Sequence, residues 1–238
     1  MPDAHRHIVP LKKDDVSALF SPTIIIPAAE INYQTKTWGA KSLIPIRGKY
    51  LIEHQIETIL SVYPKADIIL IVGQSAERII NYLYKKYRIR FIHNRDYESK
   101  NVIYSLSLGL QASIRQNVMI IYGDLFFNRE AICIIKKKST ILIDNQNQIK
   151  EDEVGIVKGY NLVTNFSYGW DIKWGQIIYL TGNELSLFIH YCFQKENENL
   201  FCYEVFNKII SDGGKIEYIQ PQNYRIRKIV HPSDLEKI

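Results

Sequence analysis

The chain has 238 residues, of which 46% are hydrophobic and 23% are charged. This composition excludes a disordered or low-complexity chain and allows one α/β domain with a sizeable core. Thirty Lys and Arg against 25 Asp and Glu give a net charge of +5, which suits anionic small molecules but falls short of a dedicated nucleic-acid binder. We therefore expect no nucleic-acid partner.

Cysteine usage and the N-terminal sequence indicate the setting of the protein. The three cysteines, Cys133, Cys192 and Cys202, form no C-x-x-C pair. Residues 1–20 lack the apolar core of a signal peptide, and no run approaches the ~18 apolar residues of a membrane span. The sequence predicts a cytoplasmic protein without a membrane partner, with residues 1–21 as an extension and residues 22–238 as a single domain.

The first half of the chain alternates strand and helix signals. Short β-branched runs predict buried strands, and apolar residues at helical spacing predict the helices between them. Ser75 is the expected N-terminal cap of the second helix. In chain order we predict a strand at 23–26, a helix at 50–62, a strand at 67–72, a helix around 79–83, a strand at 88–93, a helix at 102–114 and a strand at 118–122.

The pattern changes after residue 139. The segments TILID, VGIVKGY and WGQIIYL predict shorter, partly antiparallel strands, followed by helices at about 182–193 and 201–212 and a short one at the C-terminus. The fold class is therefore α/β: a Rossmann-like mixed, mostly parallel sheet flanked by helices, with a smaller β-rich second half. Ligands of such a sheet gather at the carboxyl ends of its strands.

Four segments at those predicted strand ends and at the C-terminus carry a family resemblance. The stretch PAAEINYQTKTWGAKSLIPIRGKYLIEHQIETI resembles the opening of the sugar-phosphate and choline-phosphate nucleotidyltransferases. HNRDYESKNVIYSLSLGL is similar to their Asn-rich segment, YGDLFFNREAI to their Gly-Asp motif and IVHPSDLEKI to their closing segment. The four segments follow one another in the order of that family, whose fold is that of the nucleotide-diphospho-sugar transferases.

The resemblance implies a reaction and its site. A nucleoside triphosphate would transfer its nucleoside monophosphate to a phosphorylated sugar or small alcohol and release pyrophosphate. It implies Lys41 and Asp124 as catalytic residues, and it implies that Asp124 and His231 hold Mg²⁺ or Mn²⁺. The lysine and the metal ion would offset the negative charge of the phosphates. Further implied contacts are Ala28, Ala29, Lys41 and Gly73 to the nucleotide and Asn94, Asn101 and Ser105 to the other substrate. The sequence allows a homo-oligomer but does not determine the oligomeric state.

The chain departs from the family at two places. Glu30, Asn32 and Gln34 stand where the family has a Gly-x-Gly-x-Arg loop for the triphosphate, and a carboxylate there repels phosphates. His231 replaces an aspartate, and imidazole is a poorer ligand for Mg²⁺. These departures keep open a non-catalytic descendant of the fold, and a glycosyltransferase of GT-A type is a further alternative.

An aromatic-rich segment of the second half is a candidate acceptor pocket. Its residues could surround a quaternary ammonium group through cation–π contacts, or belong to the core or its rim. They are Tyr160, Phe166, Tyr168, Trp170 and Trp174.

Overall fold

The computed structural model describes residues 21–29, 39–114, 116–134, 138–230 and 234. Short 3-10 turns cover Lys41–Leu43 and Lys195–Asn197. The strands are β1 (Thr23–Ala28), β2 (Pro45–Ile46), β3 (Lys49–Tyr50), β4 (Asp67–Val72), β5 (Arg90–His93), β6 (Asn117–Ile121), β7 (Leu125–Phe127), β8 (Thr140–Asp144), β9 (Gly155–Lys158), β10 (Val163–Ser167), β11 (Ile172–Thr181), β12 (Glu217–Ile219) and β13 (Ile226–Lys228). The helices are α1 (Leu51–Val62), α2 (Ala76–Leu83), α3 (Val102–Ala112), α4 (Arg129–Ile132), α5 (Gly182–Cys192) and α6 (Cys202–Ser211).

Four parallel strands form one side of the main sheet, in the order β5-β4-β1-β6 with β5 at the edge. Helices join them, as parallel pairing requires. The strand cores are apolar on both faces because both faces are covered: Ile24, Ile25 and Ile26 have no exposed surface. Helix α3 packs on β1 and β4, where Gly109 lets it approach Ile25 and Ile71. The predicted α/β fold class is confirmed.

The second half extends the same sheet with antiparallel strands. Strand β11 pairs with β6 on one edge and with β8 and β9 on the other, and β10 pairs with β9. Strand β12 joins β8 in parallel. Helices α5 and α6 pack against each other, and α6 packs on β10. Among the described residues, the two halves therefore share one sheet and one hydrophobic core.

Two small antiparallel pairs lie outside the main sheet. Strands β2 and β3 form a hairpin before α1. Strand β7 pairs with β13, which returns almost a hundred residues later. This second pair holds the last described strand of the chain beside the segment that follows β6.

The predicted element bounds need few corrections. The strand at residues 67–72 has the predicted bounds, whereas the first strand runs two residues further, to Ala28. The predicted cap by Ser75 is wrong: Ser75 precedes α2, but its φ is +60° and its side chain makes no capping hydrogen bond. The predicted C-terminal helix falls outside the described residues apart from Asp234.

Candidate active site

The candidate active site lies where the parallel strands end. Strand β1 ends at Ala28 and Ala29 follows it, while β6 leads through Tyr122 into the turn at Gly123 and Asp124. Because β1 and β6 are parallel neighbours, their carboxyl ends meet at one edge of the sheet. The turn approaches β1 closely: a Cβ on Gly123 would lie 2.9 Å from the carbonyl oxygen of Pro27, so only glycine fits there.

Lys41 and Asp124 meet at this edge. Lys41 Nζ lies 3.4 Å from Asp124 Oδ2, and the two side chains are only 17% and 6% exposed. The other carboxylate oxygen, Asp124 Oδ1, is buried and has no hydrogen-bond partner among the described residues. This edge thus holds a partly buried cation beside a buried carboxylate with one unused oxygen. The catalytic roles that the family resemblance implies for the two residues stay predictions.

Gln55 holds the turn that carries Asp124. This side chain of α1 is buried, and its Nε2 donates to the carbonyls of Tyr122 at 2.9 Å and Leu125 at 2.6 Å, on both sides of Asp124. The backbone oxygen of Asp124 also accepts from Ile229 N at 2.7 Å. The apolar stripe at residues 50–62 predicts the helix but does not single out Gln55. An amide in an apolar stripe is the signal that could have found it, since buried amides need partners.

The predicted nucleotide contacts take different places. Ala29 lines the main cleft, whereas Ala28 lines a smaller recess with Lys41 and Gly123. Gly73 has a packing role: a Cβ there would lie 2.7 Å from the carbonyl oxygen of Ala29 and 2.8 Å from Tyr97. The close approach of these backbones needs glycine, and the nucleotide contacts themselves stay predictions.

The predicted polar cluster at the start of α3 is held by internal hydrogen bonds. Asn94 is fully buried, donates to Ser105 Oγ at 2.9 Å and accepts from Asp96 N at 2.9 Å. Asn101 caps α3 by accepting from Val102 N at 2.7 Å. Asn101 and Ser105 line the cleft, with Asn94 supporting Ser105. Their contact with a substrate stays a prediction.

A cleft of about 560 Å³ opens beside Asp124, large enough for a small-molecule ligand. It lies between the carboxyl ends of the parallel strands and the second half of the chain. Its lining includes aromatic Tyr97, Tyr122, Tyr168, Trp174, Phe201 and Tyr203, acidic Glu98, Asp124, Asp152 and Glu153, and basic Lys100 and Lys228.

The predicted aromatic set is divided by the structure. Tyr168 and Trp174 line the cleft, as an acceptor pocket requires. Phe166 is a core residue, and Tyr160 is exposed. The wall is instead completed by residues from α6 and its N-terminus, where Tyr203 forms an edge-to-face pair with Tyr168 at a ring distance of 5.5 Å.

Burial raises the pKa of one residue of the cleft lining, Tyr203, and an ion pair neutralises another, Glu153. Burial, with Tyr168 and Glu204 close by, raises the pKa of Tyr203 to about 12, so its hydroxyl keeps its proton at neutral pH. Glu153 is neutralised by Lys173, whose Nζ lies 2.6 Å from Glu153 Oε1 and 3.8 Å from Asp144 Oδ2. Sequence reasoning singled out none of Tyr203, Glu153 and Lys173, because nothing local distinguishes them.

The described residues around Asp124 provide one ligand for a metal ion but not a complete set of ligands. Within the described ranges, no three His, Cys, Asp or Glu side chains group together. His231, the other predicted ligand, lies outside the described residues, as do Glu30, Asn32 and Gln34. Asp234 accepts a hydrogen bond from Val230 N at 2.9 Å. Asp124 Oδ1 remains as one hard oxygen ligand, which suits Mg²⁺ because this ion completes its shell with water and phosphate oxygens.

Comparison with known proteins identifies the fold. Residues 34–136 match the model of the MobA-like NTP transferase domain. The structure of the CTP:phosphocholine cytidylyltransferase LicC from Streptococcus pneumoniae superposes with a TM-score of 0.72 at 20% identity, over 91% of this chain and 97% of the other. The chain has the nucleotidyltransferase fold. The family resemblance inferred from the four segments is confirmed.

Further solved structures share this nucleotidyltransferase fold. The inositol-1-phosphate CTP transferase from T. maritima gives a TM-score of 0.70 at 15% identity, covering 90% of this chain and 91% of the other. A nucleoside-diphosphate-sugar pyrophosphorylase from Vibrio cholerae RC9 gives 0.71 at 13% identity, covering 90% and 98%. No curated protein matches the chain in sequence. Across the described part of the chain, the helices are too short or too polar to span a membrane.

Proposed function

We propose that this protein is a nucleotidyltransferase that joins a nucleoside monophosphate to a phosphorylated small molecule. A phosphate oxygen of the acceptor attacks the α-phosphorus of a nucleoside triphosphate, and the bond between that phosphorus and the oxygen bridging to the β-phosphorus breaks. Pyrophosphate leaves with the bonding electrons. The observation that carries the proposal is the ion pair between partly buried Lys41 and buried Asp124 at the carboxyl edge of the sheet, beside a cleft of substrate size.

Lys41 provides the fixed positive charge in this mechanism. Its ammonium lies at the edge where β1 and β6 end, in a recess formed with Ala28 and Gly123. Negative charge grows on the oxygens around the α-phosphorus during the transfer, and a cation held in a water-poor site stabilises that charge strongly. Its ion pair with Asp124 keeps the ammonium in place.

Asp124 is the residue that would hold a divalent cation. Its Oδ1, which has no hydrogen-bond partner in the part of the chain that the structure describes, is the feature that fits an ion. Gln55 fixes the turn from both sides. When bound, Mg²⁺ or Mn²⁺ supplies charge neutralisation on the triphosphate oxygens. The aspartate itself orients Lys41 through their ion pair.

The cleft lining favours an acceptor that carries a positive charge. Glu98 and Asp152 line the cleft without an ion pair among the described residues, whereas Asp124 and Glu153 are paired with Lys41 and Lys173. Aromatic rings form part of the second-half wall. Aromatic faces and carboxylates together attract an ammonium group. We therefore propose that the acceptor is a small alcohol phosphate with a cationic group rather than a neutral sugar phosphate, with Lys228 of the cleft lining near its phosphate end.

Two measurements test the proposed function. Calorimetric titration with CTP, UTP, dTTP, ATP and GTP, each with Mg²⁺ or Mn²⁺, should show micromolar binding of at least one nucleotide. Pyrophosphate release with that nucleotide should then depend on phosphocholine or on one of a panel of sugar phosphates. Absence of binding by all five nucleotides would refute the proposal and favour the non-catalytic descendant.

A further inference from the structure

Gln176 has an unusual backbone conformation for its position. It lies near the middle of β11, the longest of the described strands, with a φ of +55°. Three other non-glycine residues among those described have positive φ, and each lies in a connection: Arg47 between β2 and β3, Ser75 before α2, and Asn223 between β12 and β13. Gln176 alone of these four interrupts a strand.

The conformation belongs to a bulge in the sheet. Trp174 pairs with Ile143 and Ile178 with Ile141, so that three residues of β11 oppose one residue of β8. The carbonyl of Gln176 turns to the other neighbour and accepts from Tyr122 N at 3.4 Å. A left-handed backbone favours glycine, because a Cβ meets the carbonyl there. Glutamine at this position therefore strains the fold, and residues of this kind cluster at binding sites.

The side chain of Gln176 lies at the cleft. Gln176 lines it together with Trp174 and Tyr122. An amide offers two N–H donors and one carbonyl acceptor. Within the described ranges the side chain of Gln176 makes no hydrogen bond, so this hydrogen-bonding capacity is available to a ligand.

We propose that the side-chain amide of Gln176 hydrogen-bonds the acceptor substrate and helps to select it. This inference rests on the proposed function, since the acceptor belongs to that reaction. The acceptor is favoured over the nucleotide because Gln176 lies in β11 at a bulge against β8, and both strands belong to the second half. The expected nucleotide contacts, Ala28, Ala29 and Gly73, follow strands of the first half.

The variant Gln176→Gly separates strain from binding. Glycine relieves the left-handed backbone, so the Tm should rise by about 2–4 °C. The lost hydrogen bond should raise the calorimetric Kd of the best acceptor from a panel of phosphocholine, hexose phosphates and polyol phosphates by about tenfold. The Kd of the nucleotide should not change. Asn223→Gly is the matched control: it relieves a φ of +56° away from the cleft and should leave the acceptor Kd at the parent value.

Each other outcome decides against the inference. An unchanged acceptor Kd in Gln176→Gly, or a lower Tm, would show that the amide is not retained for binding at the expense of stability. A parent protein that binds a nucleotide but none of the panel would refute the role of Gln176 and leave the nucleotide part of the proposed function standing. A parent that binds no nucleotide would refute the proposed function itself.

Discussion

Asp124 and Asp67 show how two aspartates of one sheet differ by position. Asp67 lies at the amino end of β4, where it accepts two hydrogen bonds from Arg90 and one from Thr23. Both of its oxygens are used, so its role is structural. Asp124 lies at the opposite, carboxyl edge and leaves one buried oxygen without a partner in the described part of the chain. A buried oxygen of this kind is costly unless a ligand uses it.

We expect Asp124→Asn to abolish most of the activity without harming the fold. The amide has nearly the size of the carboxylate but lacks the charge, so kcat should fall by ~10²–10³ while the Tm changes little. Asp67→Asn is the control and should show the reverse: a lower Tm, because a bidentate pair with Arg90 is lost, and an unchanged kcat. Steady-state pyrophosphate release and thermal unfolding measure the two effects. An Asp124→Asn variant with the parent's turnover would remove Asp124 from the mechanism.

Lys41 allows a second test with a neighbouring control. Lys41→Met keeps much of the side-chain volume and removes the cation, so kcat should again fall by ~10²–10³. Lys49 is the matched lysine: it is 44% exposed and paired with Glu57 at 2.5 Å. Lys49→Met should leave kcat unchanged, because the exposed ion pair of Lys49 contributes little to the stability of the fold. Equal rates for the two variants would contradict the assignment of Lys41.

At the scale of elements, α1 links the active site to a polar cluster on its other side. Gln55 of this helix holds the Asp124 turn, while Glu53 is buried against α2 and the residues after it. Glu53 accepts hydrogen bonds from Tyr82, from Lys86 at 3.1 Å and from Tyr87 at 3.0 Å. Burial disfavours the carboxylate, but these three donors together outweigh it and lower the pKa of Glu53.

The Glu53 cluster predicts a pH-dependent contribution to stability. A folded-state pKa below the unfolded value means that the contribution is complete above the unfolded value, about 4.3, and is lost as the pH falls through the folded value. Glu53→Gln should therefore lower the free energy of unfolding by about 1–3 kcal/mol at pH 7, and by less at pH 3.5. Urea denaturation at both pH values measures this difference.

Glu57 gives the control for that experiment. It lies one turn further along α1, and its side chain is 40% exposed, against 5% for Glu53. Glu57→Gln should cost less than about 1 kcal/mol at pH 7, because solvent screens its pair with Lys49 and the Tyr87 hydroxyl, its other donor, also donates to Glu53. If the two variants lost the same stability, burial would not be what makes the Glu53 cluster strong.

At the scale of the whole molecule, one sheet joins the two halves of the chain. Strand β11 pairs with β6 of the first half and with β8 and β9 of the second half. Core residues of both halves belong to one cluster. Neither half can expose its sheet edge without uncovering the core of the other.

This shared sheet predicts a single cooperative unfolding transition. Trp170 and Trp174 report on the second half, so their fluorescence, measured in a Trp38→Phe background, should follow the same urea curve as the far-ultraviolet circular dichroism of the whole chain. Thiol labelling gives an independent check. Burial raises the pKa of the Cys192 and Cys202 thiols, so both should react only on unfolding, whereas Cys133 is exposed. Two separated transitions would contradict the single domain expected for residues 22–238.

The sequence by itself determined the main strands and helices of the first half and indicated the pair Lys41 and Asp124. Periodicity predicted these elements between residues 23 and 122, apart from the short hairpin β2–β3, because each signal lies within a few neighbouring residues. Strand β4 has the predicted bounds, whereas α3 ends two residues early, where Ser113 takes an extended backbone. Lys41 and Asp124 could be predicted because each lies in a local motif, and strand order in the family's fold implied that they meet.

Only the tertiary structure decided what surrounds that pair. The pairing of β7 with β13, the two bonds of Gln55, and the aromatic wall with Tyr203 join residues that are far apart in the chain. Such contacts leave no local pattern, because any polar or aromatic residue at these positions has the same spacing in the sequence. The strain at Gln176 is likewise set by the register of β11 against β8. A bulge of this kind depends on how two distant strands align, and no single stretch of sequence specifies it.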